Sequence, residues 1–171
     1  MPATQEGAME IVDKLRESFP DHYMGHKVFR DEPYVGVRKD GLRDVCRWLK
    51  ETPGMEFDYP VEVTAVDYMG DMERFEVIHV LWSMRHRRRV VLKSRVTEAD
   101  CAIDTVADIW RGANFMERET YDMYGITFTG HPDLRRIMMT DDFDGWPLRK
   151  DYPVEGHGWR ENYDFLPQVG D

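Results

Sequence analysis

Between residues 61 and 96 the chain reads as three successive strands, VEVTAVDYM (61–69) and RFEVIHVLW (74–82), which alternate, and RRRVVLKSRV (87–96). Successive side chains of a strand point to opposite faces, so runs of this period are at rest only in a β-sheet. In the middle run Phe75, Val77, His79 and Leu81 stand opposite Glu76, Ile78, Val80 and Trp82. Both faces are fairly apolar, which predicts a central strand. Upstream, Ala8, Ile11, Val12, Leu15 and Phe19 share one helical face, away from Glu10, Asp13, Lys14 and Glu17. This predicts an amphipathic helix over 8–19, stopped by Pro20. Two short strands are expected across 22–38 around Asp31-Glu32-Pro33, with Tyr34, Val35 and Val37 as β-formers. A second helix is expected from Asp40 as its cap, with Leu42, Val45, Cys46 and Leu49 on one face and Pro53-Gly54 at its end. The order α-β-β-α-β-β-β implies an α+β fold of two layers, a mixed β-sheet with helices covering one face.

From 103 the spacing of Ile103, Val106, Ala107, Ile109 and Trp110 predicts a return to helix, interrupted at Gly112. A further helix is expected over 114–124, with Gly125 as its C-cap. Beyond it no period is convincing. Residues 141–171 instead hold Phe143, Trp146, Tyr152, Trp159, Tyr163 and Phe165 among three prolines. A disordered linker would be poor in such residues, and a structureless stretch of this length is unusual in a compact domain. The expectation is an α+β core domain over 1–128 and a long extended, partner-binding C-terminal segment over 129–171. The plainer alternative is a tail wrapped on its own domain.

At 171 residues the chain is of single-domain size. No stretch approaches the roughly 18 apolar residues of a membrane helix. The N-terminal residues lack the apolar stretch of a secretory signal. Cys46 and Cys101 are isolated thiols, suited to a reducing compartment. A net charge of −10 argues against nucleic acid or an anionic lipid surface as main partner.

The candidate chemistry is sparse. Arg85-His86-Arg87-Arg88-Arg89 could bind phosphates, but between two strands it reads more simply as a charged hairpin turn. The six histidines form no metal-ligand spacing, and neither a nucleophile elbow nor a nucleotide-binding glycine loop is present. Glu117, Arg118, Glu119 and Asp122 lie close on one predicted helix, where Glu119 and Asp122 share a face, as do Arg118 and Asp122. Such a group serves ion-pair docking more readily than acid–base work, although Glu119, Asp122 and His131 would be the set for a small stand-alone enzyme. Arg135, Arg136, Arg149 and Lys150 are donors without acceptors and, if buried, need carboxylates or carbonyls. From its residues alone the chain reads as an α+β subunit with a recognition tail and no catalytic centre of its own.

The stretch from Glu117 to Pro153, ERETYDMYGITFTGHPDLRRIMMTDDFDGWPLRKDYP, closely resembles the signature region of the respiratory complex I 30 kDa subunit family, the C-type subunits of proton-pumping NADH–quinone oxidoreductase. The three sequence blocks, their order and their spacing carry the likeness, and the strands VEVTAVDY, RFEVIHVLWS and VVLKSRV extend it over about residues 30–155. The resemblance implies a non-catalytic structural and docking subunit in the peripheral arm, on the cytoplasmic face of a bacterial inner membrane. Membrane association would be indirect. It implies no cofactor in this chain, with flavin (FMN), iron–sulfur clusters and quinone held elsewhere in the parent complex. The implied partners are the hydrogenase-large-chain-like, D-type subunit of the quinone cavity and neighbouring peripheral-arm subunits. The signature positions implied at the subunit interface are Glu117, Arg118, Glu119, Asp122, Gly125, Gly130, His131, Pro132, Asp133, Arg135, Arg136, Trp146, Pro147, Leu148, Arg149, Lys150 and Asp151. Gly125 and Gly130 would permit turns, and Trp146, Pro147 and Leu148 would be the apolar anchor. Related subunits also occur in ferredoxin-dependent and hydrogenase-linked membrane complexes, which is the alternative reading.

Overall fold

A computed structural model describes residues 5–156. The elements are α1 (Gln5–Ser18), β1 (Tyr23–Phe29), β2 (Glu32–Val37), α2 (Leu42–Glu51), β3 (Tyr59–Asp67), β4 (Phe75–Ser83), β5 (Arg88–Val96), β6 (Ala102–Asp104), α3 (Ala113–Tyr124) and β7 (Thr127–Thr129). The first seven follow the expected order. They form a five-stranded sheet ordered β1-β2-β5-β4-β3, in which β2 and β5 run parallel and every other pair is antiparallel. A parallel pair needs a crossover, and α2 with the β3–β4 hairpin supplies it. As its two apolar faces predict, β4 lies inside the sheet, although β5 takes the middle place.

Register places Val63 and Ala65, Phe75, Val77, His79 and Leu81, and Val90, Leu92 and Val96 on one face. That face is buried with Ile11, Val12 and Leu15 of α1 and with Leu42, Val45, Cys46 and Leu49 of α2. Each large apolar side chain removed from water here contributes about 2 kcal/mol. The opposite face, with Ile78, Val80 and Trp82, stays partly exposed. Arg85 and His86 meet Glu56 in the β4–β5 turn, Arg88 meets Glu10 and Arg89 meets Glu32. The basic run is therefore a charged hairpin in which Arg85, His86, Arg88 and Arg89 pair with carboxylates of the same chain.

Two expectations need correction. Asp40 does not cap α2: the helix starts after Gly41 with no side-chain cap, and the Asp40 carboxylate is held by both arms of the Arg38 guanidinium at 2.9 and 3.1 Å. A charge-assisted fork two residues away outcompetes a neutral backbone N–H. Nor is there a helix from 103. Residues 102–104 form β6, which pairs in parallel with the unexpected β7, and the following residues make turns. The apolar side chains are buried as their spacing suggested, but the Val106 N–H is taken by the Glu117 carboxylate and the Trp110 indole N–H by the Phe57 carbonyl. Those long-range bonds hold the segment in turns. Trp159, Tyr163 and Phe165 lie outside the described residues; from 130 to 156 there is neither helix nor strand.

His79 is fully buried, and neither ring nitrogen has a partner among the described residues. Burial pushes its pKa down to about 4. The folded value lies below the unfolded one, so the stability linked to the neutral ring is complete above about pH 6.5 and falls as the pH drops toward 4, by about 3 kcal/mol. We expect His79→Leu to lose this component, seen as a smaller shift of the urea midpoint between pH 7 and pH 4 than in the parent chain.

Candidate functional site

Helix α3 has an unusual buried face: Ala113 and Met123 share it with Glu117, Arg118, Thr120 and Asp122. Buried polar groups must be matched, and each of these reaches a different piece of backbone. Thr120 donates to the Val63 carbonyl of β3 (3.0 Å), which seats the helix on the sheet. Glu117 accepts from the Thr105 hydroxyl and the Val106 N–H (2.7 Å), which shapes the segment after β6. Arg118 donates to the carbonyls of Arg135 and Arg136 at 3.1 and 3.2 Å.

Asp122 holds most. Its side chain is fully buried, and one carboxylate oxygen accepts the consecutive N–H groups of Ile137, Met138 and Met139 at 3.0, 2.7 and 2.8 Å. Its other oxygen pairs with Arg136 at 2.8 Å. Burial by itself raises the carboxyl pKa, but the three N–H groups and the guanidinium more than offset it and hold the group below its ordinary value. Arg136 continues outward to the carbonyls of Phe143 and Gly145 and lies 4.5 Å under the Trp146 ring. Trp146 meets Tyr121 edge-on at 5.2 Å.

Gly125 ends α3 at φ 75°, and a Cβ there would stand 2.6 Å from the Trp146 ring. The glycine thus serves both the left-handed cap and the seat of the indole. Beyond Trp146 the backbone is fastened residue by residue. The Leu148 N–H donates to the Met123 carbonyl, the Arg149 guanidinium to the Tyr124 carbonyl (2.6 Å), and the Lys150 N–H to Asp67 (2.8 Å). Asp151 pairs with Arg74 at 2.7 Å. Arg74 is itself buried, forks onto Asp67 and also meets Glu98. The Arg74 fork, ahead of other influences, holds the Asp67 carboxyl below its ordinary range.

The 131–151 stretch is therefore tied to its own domain by α3 and the Arg74 hub. Within it the signature positions part company. Arg136 is only partly exposed, paired with the buried Asp122, and Trp146 is half-buried, while Arg135 pairs with the exposed Asp133 and the Leu148 side chain faces solvent. Glu119 is exposed although Asp122, three residues on, is buried; they straddle the edge of the face. Pro132 and Pro147 occupy bends, and Gly130 turns at φ 80°. The His131 ring is buried, accepts from the Asp133 N–H at Nδ1 and donates from Nε2 to the Asn114 carbonyl, 3.9 Å from Glu117. Glu119, Asp122 and His131 thus have separate surroundings. Among the described residues no group of three or more His, Cys, Asp or Glu side chains is placed to hold a metal ion. Asp67, Arg74, Glu98 and Thr105 escaped the sequence reading, though a carboxylate at the inward position after Val63 and Ala65 was a visible signal.

Two variants probe this scaffold. Burial, first, raises the Glu117 pKa to about 7, and the bonds from Thr105 and Val106 restrain the rise. His131 and Asp108 are its titratable neighbours. Because the folded pKa exceeds 4.5, the linked stability is complete below about pH 4.5 and is lost as the pH climbs through 7. Glu117→Gln should therefore gain on the parent chain with rising pH, by about 3 kcal/mol above pH 7 in denaturant titrations. Gly125→Ala should unseat Trp146, seen as amide exchange at 148–149 faster by about tenfold while β4 and β5 keep their protection.

Comparison with known proteins gives a consistent picture. The family described as "Respiratory-chain NADH dehydrogenase, 30 Kd subunit" matches residues 35–158. The C-type subunit of NADH-quinone oxidoreductase from Geobacter sulfurreducens is 48% identical over 146 residues, covering 85% of this chain and 89% of that protein. Among solved structures, the trypsin-resistant fragment of Nqo5 superposes with a TM-score of 0.63 at 26% identity, over 77% of this chain and all of the fragment. A chain of the membrane-bound sulfane sulfur reductase, an archaeal respiratory membrane complex, superposes with a TM-score of 0.73 at 27% identity, over 85% of each chain.

Proposed function

The chain belongs to the 30 kDa subunit family of the respiratory-chain NADH dehydrogenase, and on that footing we propose that it is a non-catalytic docking subunit in the peripheral arm of a proton-pumping NADH–quinone oxidoreductase. The observation that carries the docking role is the loop fixed by Asp122. Its three consecutive N–H groups are spent on Asp122 and the carbonyls of Arg135 and Arg136 on Arg118, which preorganises the loop. It displays Met138, 61% exposed, and Ile137, 39% exposed, beside the Arg118 anchor, whose other neighbour is the exposed ring of Phe115. A preorganised apolar surface loses little entropy on association. The exposed signature positions then meet partners, and the buried ones hold the surface in shape.

The quinone-cavity subunit, of hydrogenase-large-chain type, is the leading partner, with other peripheral-arm subunits beside it. Flavin (FMN), iron–sulfur clusters and quinone belong to those partners. No described helix is long and apolar enough to cross a membrane; in this assignment the chain attaches indirectly, at the cytoplasmic face. By role the chain divides into a core over 1–128 and a partner-binding segment over 129–171. The trypsin resistance of the similar Nqo5 fragment is support for such a core.

A second reading has a specific observation behind it: the likeness to a chain of the sulfane sulfur reductase complex favours the equivalent subunit of a related ferredoxin-dependent or hydrogenase-linked membrane assembly. One preparation separates the two. The tagged chain is drawn from its host membranes in mild detergent, partners are identified by mass, and NADH-driven quinone reduction is assayed. Flavin, iron–sulfur and membrane subunits with activity are expected. An assembly without the NADH-oxidising subunits would move the assignment to the second reading, and a lone chain would overturn both. In the same preparation Arg149→Ala, which cuts the bond to the Tyr124 carbonyl, should lower the amount of assembled complex several-fold and leave turnover per assembled complex unchanged. Normal abundance with lost turnover would contradict a docking role.

A further inference from the structure

The partly exposed sheet face ends, at β1, in a groove of about 640 Å³ whose construction points to a ligand class. Gly25 of β1 and Gly36 of β2 are cross-strand partners, so its floor is bare backbone. Met24 and Phe29, 62% and 52% exposed, stand at its rim. Two lysines line the groove around Tyr34. Lys27 is its register partner on β1, and Lys93 of β5 stands 6.0 Å over its ring. No carboxylate lines the groove among the described residues. Lys93 is paired with Glu76 at 2.7 Å, but Lys27 is exposed and has no ion-pair partner among those residues.

On a chain of net charge −10, a groove lined by two lysines and no described carboxylate is locally basic. The other strong basic run, at 85–89, has Arg85, His86, Arg88 and Arg89 matched to Glu56, Glu10 and Glu32. An acidic partner would be repelled by the protein's overall field and attracted at this groove. The exposed apolar rim would gain by being covered, and a cation with no internal partner leaves its charge for a carboxylate from outside. We propose that the groove over Gly25 and Gly36 is a second docking site, distinct from the Asp122 loop, that takes an acidic segment of a neighbouring subunit, with a carboxylate on Lys27 and an apolar side chain between Met24 and Phe29. The inference rests on the reading of the chain as a subunit of a larger assembly.

The test uses the intact assembly purified through the tagged chain. A zero-length carbodiimide reagent joins an amine to a carboxylate only where the two already touch. The expected product links Lys27 to an Asp or Glu of another subunit, and acetylation of Lys27 in the assembly should be at least about tenfold slower than after denaturation. Lys27→Glu should lower retention of the linked subunit by about tenfold when ionic strength is raised, and Lys27→Arg should restore it. The proposal is overturned if Lys27 acetylates equally fast in both states, if its only links are to carboxylates of this same chain, or if Lys27→Glu retains the subunit like the parent. Asp122→Asn, which disturbs only the other surface, keeps the two ideas apart. Unchanged assembly in that variant would count against the Asp122 loop as a docking surface and leave the Lys27 result standing. A lone chain would remove the subunit reading itself.

Discussion

One buried carboxylate organises the segment that follows α3 in this protein. Asp122 receives three consecutive backbone N–H groups on one oxygen and the Arg136 guanidinium on the other. An isolated carboxylate in such a place would be costly, and a residue that left even one of those N–H groups unmatched would lose most of the benefit. The set is therefore close to all-or-none. With it made, residues 136–139 have one conformation, Arg136 lies beneath Trp146, and Trp146 lies in the gap that Gly125 leaves at the end of α3. The strap from 146 to 151 then follows the carbonyls of Met123 and Tyr124 to the Arg74 hub.

The sheet and helices beneath are ordinary by comparison, and that division of labour suits a docking protein. The apolar core supplies stability through Phe57, Phe75, Leu81 and Leu92 and the residues around them. The polar contacts on α3 supply shape rather than reactivity. Glu117 and His131 stand close together, yet both are buried and engaged with backbone, which is how structural polar groups differ from catalytic ones waiting for substrate. The features that the family shares most visibly in this chain, from Glu117 to Asp151, thus read as a scaffold for a surface.

Much of the fold was legible in advance because its signals are local. Alternation at 61–69 and 74–82 reports a side-chain period, and Ile11, Val12 and Leu15 report another; both survive in the folded chain nearly residue for residue. Gly125 was legible as a cap for the same reason. The apolar group from Ile103 to Trp110 misled because its spacing fits a helix, whereas its backbone is held by Glu117 and its indole by Phe57, residues distant in sequence. Asp40 misled because a nearby Arg38 competes for the same carboxylate. The aromatic content of the 129–171 segment favoured a partner's surface over the chain's own, yet residues 146–151 are fastened to α3 and Arg74, because aromatic and basic residues suit either surface.

The sequence by itself determined the α+β class, the element order as far as Val96 and the family, because periodicity, punctuation and a long continuous motif are properties of neighbours along the chain. Only the tertiary structure decided which signature residues look inward and which outward. Arg135 and Arg136 are adjacent and chemically identical, yet one is exposed beside Asp133 and the other is held, mostly covered, between Asp122 and Trp146. That difference depends on where α3 places Asp122 in space. A guanidinium's energy depends on the acceptors and the dielectric around it, and these come from residues that meet only when the chain is folded.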